Sequence, residues 1–187
     1  MTGKKIINTS ELVIFSMYGA IMFLSAQIDI IPNVHPVSVF IAVFTVVYRK
    51  KALIPLYVYI FLEGLFGGFG IYWWPMYLYV WLPVWAFTML IRKGTKEYLA
   101  AIFITVICAV HGILFGTLCA PYSCLVMYKD KFLDALIPYI AYGFPFDVTH
   151  CIGNIAQSAL AIPLIRLICK LEKKDYPFIT ANKAKGD

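Results

Sequence analysis

Charge is scarce in this sequence. Lys, Arg, Asp and Glu make up 14% of the 187 residues while apolar types make up 61%, against about 25% charged and 45–50% apolar in a soluble domain. No surface of that composition covers a core in water, so the sequence calls for lipid as its solvent. Catalytic and cofactor signatures are missing too. There is no His-Glu-x-x-His, no Gly-x-Ser-x-Gly and no glycine-rich phosphate loop, which leaves an intramembrane hydrolase a minor alternative. The five cysteines have no zinc-ligand spacing. Cys119 and Cys124 fall in a segment, 120–131, that reads as an outer loop, where they stand either as two unpaired thiols or as an oxidised pair. No low-complexity tract or internal repeat is evident.

What the sequence does hold is a series of apolar runs. A spanning helix needs about 20 apolar residues, and six runs meet or approach that: 11–30, 36–48, 52–69, 74–91, 98–119 and 146–169. Residues 132–143 form a shorter patch that reads as a surface helix. The fold class is therefore all-α, a single membrane domain of six transmembrane helices with a polar tail over 172–187. Residues 1–26 have the look of a signal peptide, but removing them breaks the charge pattern described next, so they are read as the first span.

The net charge of +6 is distributed by loop. Lys4 and Lys5 precede the first run; Arg49, Lys50 and Lys51 separate the second and third; Arg92, Lys93 and Lys96 separate the fourth and fifth; Arg166, Lys170, Lys173, Lys174, Lys183 and Lys185 close the chain. Only Lys129 and Lys131 fall on the other side. This alternation is the positive-inside pattern. It puts both termini in the cytoplasm and speaks against a nucleic-acid role; the chain is expected to be multi-pass, in a bacterial cytoplasmic membrane.

Polar residues inside apolar runs are costly, about 2.5–3.5 kcal/mol for an aspartate at a span centre, and mark functional sites. Asp147, His150, Cys151 and Asn154 follow an i, i+3, i+4, i+7 spacing and share one helix face. They are read either as ligand contacts or as an internal lock. Glu63, next to a glycine-rich stretch, is a second candidate, with His111 as a possible partner. The stiff first outer loop, Asp29-Ile-Ile-Pro-Asn-Val-His-Pro36, adds Asn33 and His35. The run that opens Gly67-Gly-Phe-Gly-Ile-Tyr-Trp-Trp-Pro75 supplies flat rings, among them Trp74, Tyr77 and Trp81, which read as an interfacial belt or as a stacking wall. Small residues recur by fours at Cys108, Gly112, Gly116 and Ala120 and at Gly64 and Gly68, a spacing that lets helix backbones approach.

Taken together, the Pro32-Asn-Val-His-Pro36 loop, the Tyr77-Leu-Tyr-Val-Trp81 run and the Gly143-Phe-Pro-Phe-Asp-Val-Thr-His-Cys-Ile-Gly-Asn154 segment are similar to the substrate-capture subunits (S components) of energy-coupling factor transporters, over about residues 10–171. The resemblance implies a subunit that binds a vitamin or related micronutrient from outside, a flat heteroaromatic being favoured. It then docks on a transmembrane coupling protein carrying two cytoplasmic ATPases. The chain itself is expected to hydrolyse no ATP and to need no cofactor or metal. The family's docking residues would fall on Ser16, Gly19 and Ala20, where this chain departs from the usual pair of alanines. A stand-alone secondary carrier is the alternative reading.

Overall fold

The structure is a computed structural model that describes residues 7–28 and 34–180. The described residues form eight α-helices and no strand: α1 (Thr9–Ala26), α2 (Val37–Tyr48), α3 (Leu53–Gly67), α4 (Trp74–Val80), α5 (Leu82–Thr88), α6 (Glu97–Tyr128), α7 (Phe132–Ser158) and α8 (Ala161–Leu171). Two stretches are long and apolar enough to cross a membrane, α1 and the run Glu97–Ser158. Only 17% and 28% of their most apolar windows are buried. A core helix of a water-soluble protein would bury most of such a window.

α2 is the centre of the bundle. Its sequence is apolar on all sides, and a helix of that kind has to be surrounded. Ten of its twelve residues are buried, packed by α1, α5, α6, α7 and α8. Thr45 turns its hydroxyl to Ile41 O at 2.6 Å and so hides its own polarity. Ser38 cannot do so and reaches another helix.

Three expectations about helix limits are corrected. The segment 120–131 is not a loop: α6 continues for 32 residues to Tyr128, about 48 Å at 1.5 Å per residue, and turns through Lys129–Lys131. Cys119 and Cys124 lie on this one helix as free, buried thiols. Nor is 132–143 a separate surface helix, because it is the first half of α7, which was expected to open at 146. Pro121, Pro138 and Pro145 sit inside α6 and α7. Each removes one ladder donor, the N–H that would reach the carbonyl four residues earlier, and the helices continue through all three. Finally, the runs 74–91 and 146–169 are each broken in two. Pro83 stands in the first turn of α5, so the break falls at Trp81. Pro163 stands in the first turn of α8, so α7 stops at Ser158.

The basic connections gather at one end of the bundle. Asn8 and Glu11 form a capping box at the start of α1, and Lys51 reaches the same Glu11 at 2.6 Å. Arg49 donates to the carbonyls of Met89 and Ile91 beyond α5. Tyr18 and Tyr48 both donate to Glu172. After α8 the chain turns back and straps this end. Phe178 is buried, Ile179 N donates to Thr95 O at 3.1 Å, and Glu97 N donates to Ile179 O at 3.0 Å. Tyr176 donates to Glu97, which also receives Arg166. Burial, and then the bond to Glu97, pushes the Tyr176 phenol up to about 12, so it stays a donor throughout the physiological range.

Candidate functional site

The site begins where α6 and α7 cross. They run antiparallel, and two glycines set their distance. A Cβ at Gly112 would lie 2.8 Å from both Cα and N of Cys151, and one at Gly116 would lie 2.7 Å from Asp147 Oδ2. The small-residue stripe of α6 is therefore internal packing. It brings the polar face of α7 against α6 and α2: Asp147, His150 and Asn154 are all buried.

Asp147 accepts from Gly116 N at 2.8 Å, an approach open only to a residue without a side chain. One turn on, His150 enters a cluster of rings. Its centroid lies 5.0 Å from Phe115, 5.6 Å from His35 and 6.0 Å from His111. Trp81 closes the cluster at 5.3 Å from both His111 and Phe115 and 6.2 Å from His35. Tyr59 and Tyr77 meet its outer edges at 6.1 and 6.0 Å. The break between α4 and α5 is what turns Trp81 inward, to 1% exposure.

Beneath the rings runs a chain of hydrogen bonds. Asn154 Nδ2 donates to Cys108 O at 2.8 Å and to Ser38 Oγ at 3.4 Å. Ser38 Oγ in turn meets His111 Nδ1 at 3.2 Å, and His111 Nε2 meets Val80 O at 3.0 Å. A carbonyl only accepts, so Val80 places the His111 proton on Nε2, Cys108 fixes which way the Asn154 amide points, and the Ser38 proton turns to His111 Nδ1. One chain thus ties α7, α6, α2 and the end of α4 together, and each member's role follows from the last.

The chain leaves a remainder. Among the described residues, Asn154 Oδ1, both ring nitrogens of His150 and Trp81 Nε1 are buried without a hydrogen-bond partner. Native interiors hold few such atoms, and each calls for an explanation, since burying one unpaired costs about 1–3 kcal/mol. Trp81 and His150 belong to the ring cluster, and Asn154 stands one turn from His150 on the same helix.

Not every expected residue joins. Trp74 donates to Ile60 O at 2.9 Å and packs on Phe69, which locks α4 to α3 and takes it out of the ring cluster. Glu63 is half-buried and accepts from Gln27 at 3.3 Å; the partners of His111 are Ser38 and Val80, not Glu63. Cys151 contributes backbone to the crossing with Gly112. Tyr77 stands at the edge, behind Trp81. Asn33 lies outside the described residues. Gly19, expected to face a docking partner, is buried instead: a Cβ there would meet Val58 at 2.5 Å and Pro55 O at 2.9 Å, so it serves the crossing of α1 with α3. Ser16, about 60° round the helix from Gly19, is exposed, and Ala20, about 100° to its other side, is half-buried.

Two members of the site, Ser38 and Phe115, are not among the residues the sequence singles out. Ser38 had a signal, as a lone early hydroxyl in the apolar run of α2. Phe115 had none, being one phenylalanine among 14. No family model, curated protein or solved structure matches this chain.

Proposed function

We propose that this chain is the substrate-capture subunit of an energy-coupling factor importer, a six-span protein of the cytoplasmic membrane with both termini inside. In this reading it takes a flat heteroaromatic micronutrient from outside at the Trp81–His150 cluster. It then delivers the compound through a coupling protein and two cytoplasmic ATPases. The observation that carries the proposal is the set of unpartnered polar atoms among aromatic faces. Small-ligand sites are largely apolar, with a few placed polar groups. A planar ring with a donor and an acceptor on its edge satisfies Asn154 Oδ1, Trp81 Nε1 and His150 while stacking on the surrounding rings. The gathering of the basic connections at one end supports the orientation. Ser16 and Ala20, on the open side of α1, remain the residues offered to the coupling protein.

Two measurements test this. Mass spectrometry of the purified protein should find one chemically unaltered small heteroaromatic. Uptake of that compound in cells should appear only when the coupling protein and its ATPases are co-expressed. Uptake by the chain alone would favour a secondary carrier, and turnover of the compound by the isolated chain would favour a hydrolase. Orientation is checked separately: in intact cells, a cysteine introduced at Lys129 should react with an impermeant maleimide and one at Lys50 should not. Labelling at Lys50 reverses the assignment.

A further inference from the structure

The basic end of the bundle holds a second feature, unconnected with the ring cluster. A cavity of about 340 Å³ lies between the end of α2, the α5–α6 connection and the strap that follows α8, lined by Val46, Val47, Lys93, Cys169, Lys173, Lys174, Asp175 and Pro177. Three lysines stand against Asp175 and, beside the lining, Glu172, an excess of one positive charge. Lys174 is engaged: its Nζ lies 3.4 Å from Glu172 and 4.9 Å from the Tyr48 ring centroid. Lys93 and Lys173 have no ion-pair partner among the described residues.

The walls are fixed by backbone rather than by the lysines themselves. Gly94 N donates to Pro177 O at 2.8 Å, which holds the Lys93 turn against the strap. α8 ends with Lys174 N donating to Cys169 O at 2.9 Å, and Lys173 takes the left-handed position between them at φ +53°. Glycine is the usual residue at that position of a helix C-terminus because it has no Cβ to strain. A lysine there sets a cationic side chain at the cavity at a conformational cost that glycine would avoid. The apolar floor of Val46 and Val47 lies beside it.

We infer that this cavity binds a phosphate group, with Lys93 and Lys173 as its two free cationic contacts. Two sources have that chemistry, the headgroup of an anionic phospholipid and a free phosphate. Basic pockets among membrane helices hold anionic headgroups by the same attraction.

The test uses the purified full-length chain in a non-ionic detergent. Native mass spectrometry with dioleoylphosphatidylglycerol and dioleoylphosphatidylcholine compares lipid retention, and thermal unfolding with and without inorganic phosphate reads the free anion. Phosphatidylglycerol should be retained over phosphatidylcholine, and K173G should lower that retention about fivefold, the effect of one cationic contact near a charged surface. The melting temperature of K173G should equal or exceed that of the wild type, because glycine relieves the left-handed strain. K93A, on an exposed turn, should lower retention similarly and serves as the binding test if K173G unfolds early. If inorganic phosphate raises the wild-type melting temperature but not that of either variant, and the two lipids are retained alike, the source is free phosphate and the site stands. Wild-type retention and phosphate response in both variants would overturn it, as would equal retention of both lipids with no response to phosphate.

Discussion

Gly112→Ala is expected to cost the protein about 3 kcal/mol or more of stability, the upper range for overpacking a core. The reason is what the new methyl group would strike. At Gly112 the nearest atoms are Cα and N of Cys151, each 2.8 Å away. Main chain in mid-helix cannot swing aside as a side chain can, so α6 and α7 have to separate. Separation pulls Asn154 off Cys108 O and Asp147 off Gly116 N, the bonds that fix the polar face of α7. The control lies in the same hairpin. A Cβ at Gly143 meets nothing within 4 Å, and Gly143→Ala should be neutral or stabilising by about 0.5–1 kcal/mol through helix propensity. Thermal unfolding in detergent, followed by tryptophan fluorescence, measures both. Equal melting of Gly112→Ala and the wild type would mean the helices do not meet as closely as described.

The second large effect separates stability from binding on a single helix face. His150→Phe keeps a planar ring of similar size but removes two buried nitrogens that have no partner. The ligand-free protein should gain about 1–3 kcal/mol, the desolvation cost of such groups. Affinity for the co-purifying compound should fall by at least about tenfold, or 1.4 kcal/mol, because a polar contact is lost from an apolar wall. Asn154→Ala, one turn away, should behave oppositely toward stability. Its amide nitrogen bonds Cys108 and Ser38 across two helices, so removing it costs the ligand-free protein about 1–3 kcal/mol. The two variants therefore shift the melting temperature in opposite directions. Calorimetric titration with the identified compound and unfolding scans without it provide both readings. If His150→Phe binds as the wild type does, the ring cluster is packing and the proposed site is misplaced.

Asn154 bears on both readings of the α7 face. Its nitrogen is a lock and its oxygen is unpartnered, so the residue belongs to both. Asp147 leans to the lock, through Gly116, while His150 has no hydrogen-bond partner among the described residues. The shared face was legible in the sequence because the helical period is a local property, and positions three, four and seven apart align whatever surrounds them. Which member of the face finds a partner was not legible. Ser38 and Asn154 are 116 positions apart and Ser38 and His111 are 73 apart, and nothing local in either segment names the other.

The sequence by itself determined the helical class, the long apolar runs, the basic connections and the close-approach stripe of α6, because each follows from composition or from a repeat a few residues long. Only the tertiary structure decided where helices end and what their small and polar residues touch. Pro83 and Pro163 start new helices, while Pro121, Pro138 and Pro145 lie within continuous ones. The same missing donor is present in all five, so the local chemistry of proline does not by itself distinguish a helix start from a position inside a continuous helix. Gly19 likewise reads as a docking residue on an isolated α1, yet α3 occupies that face and leaves Ser16 and Ala20 to the outside. A helix has one sequence but several faces, and neighbours distant in the chain choose which of them is buried.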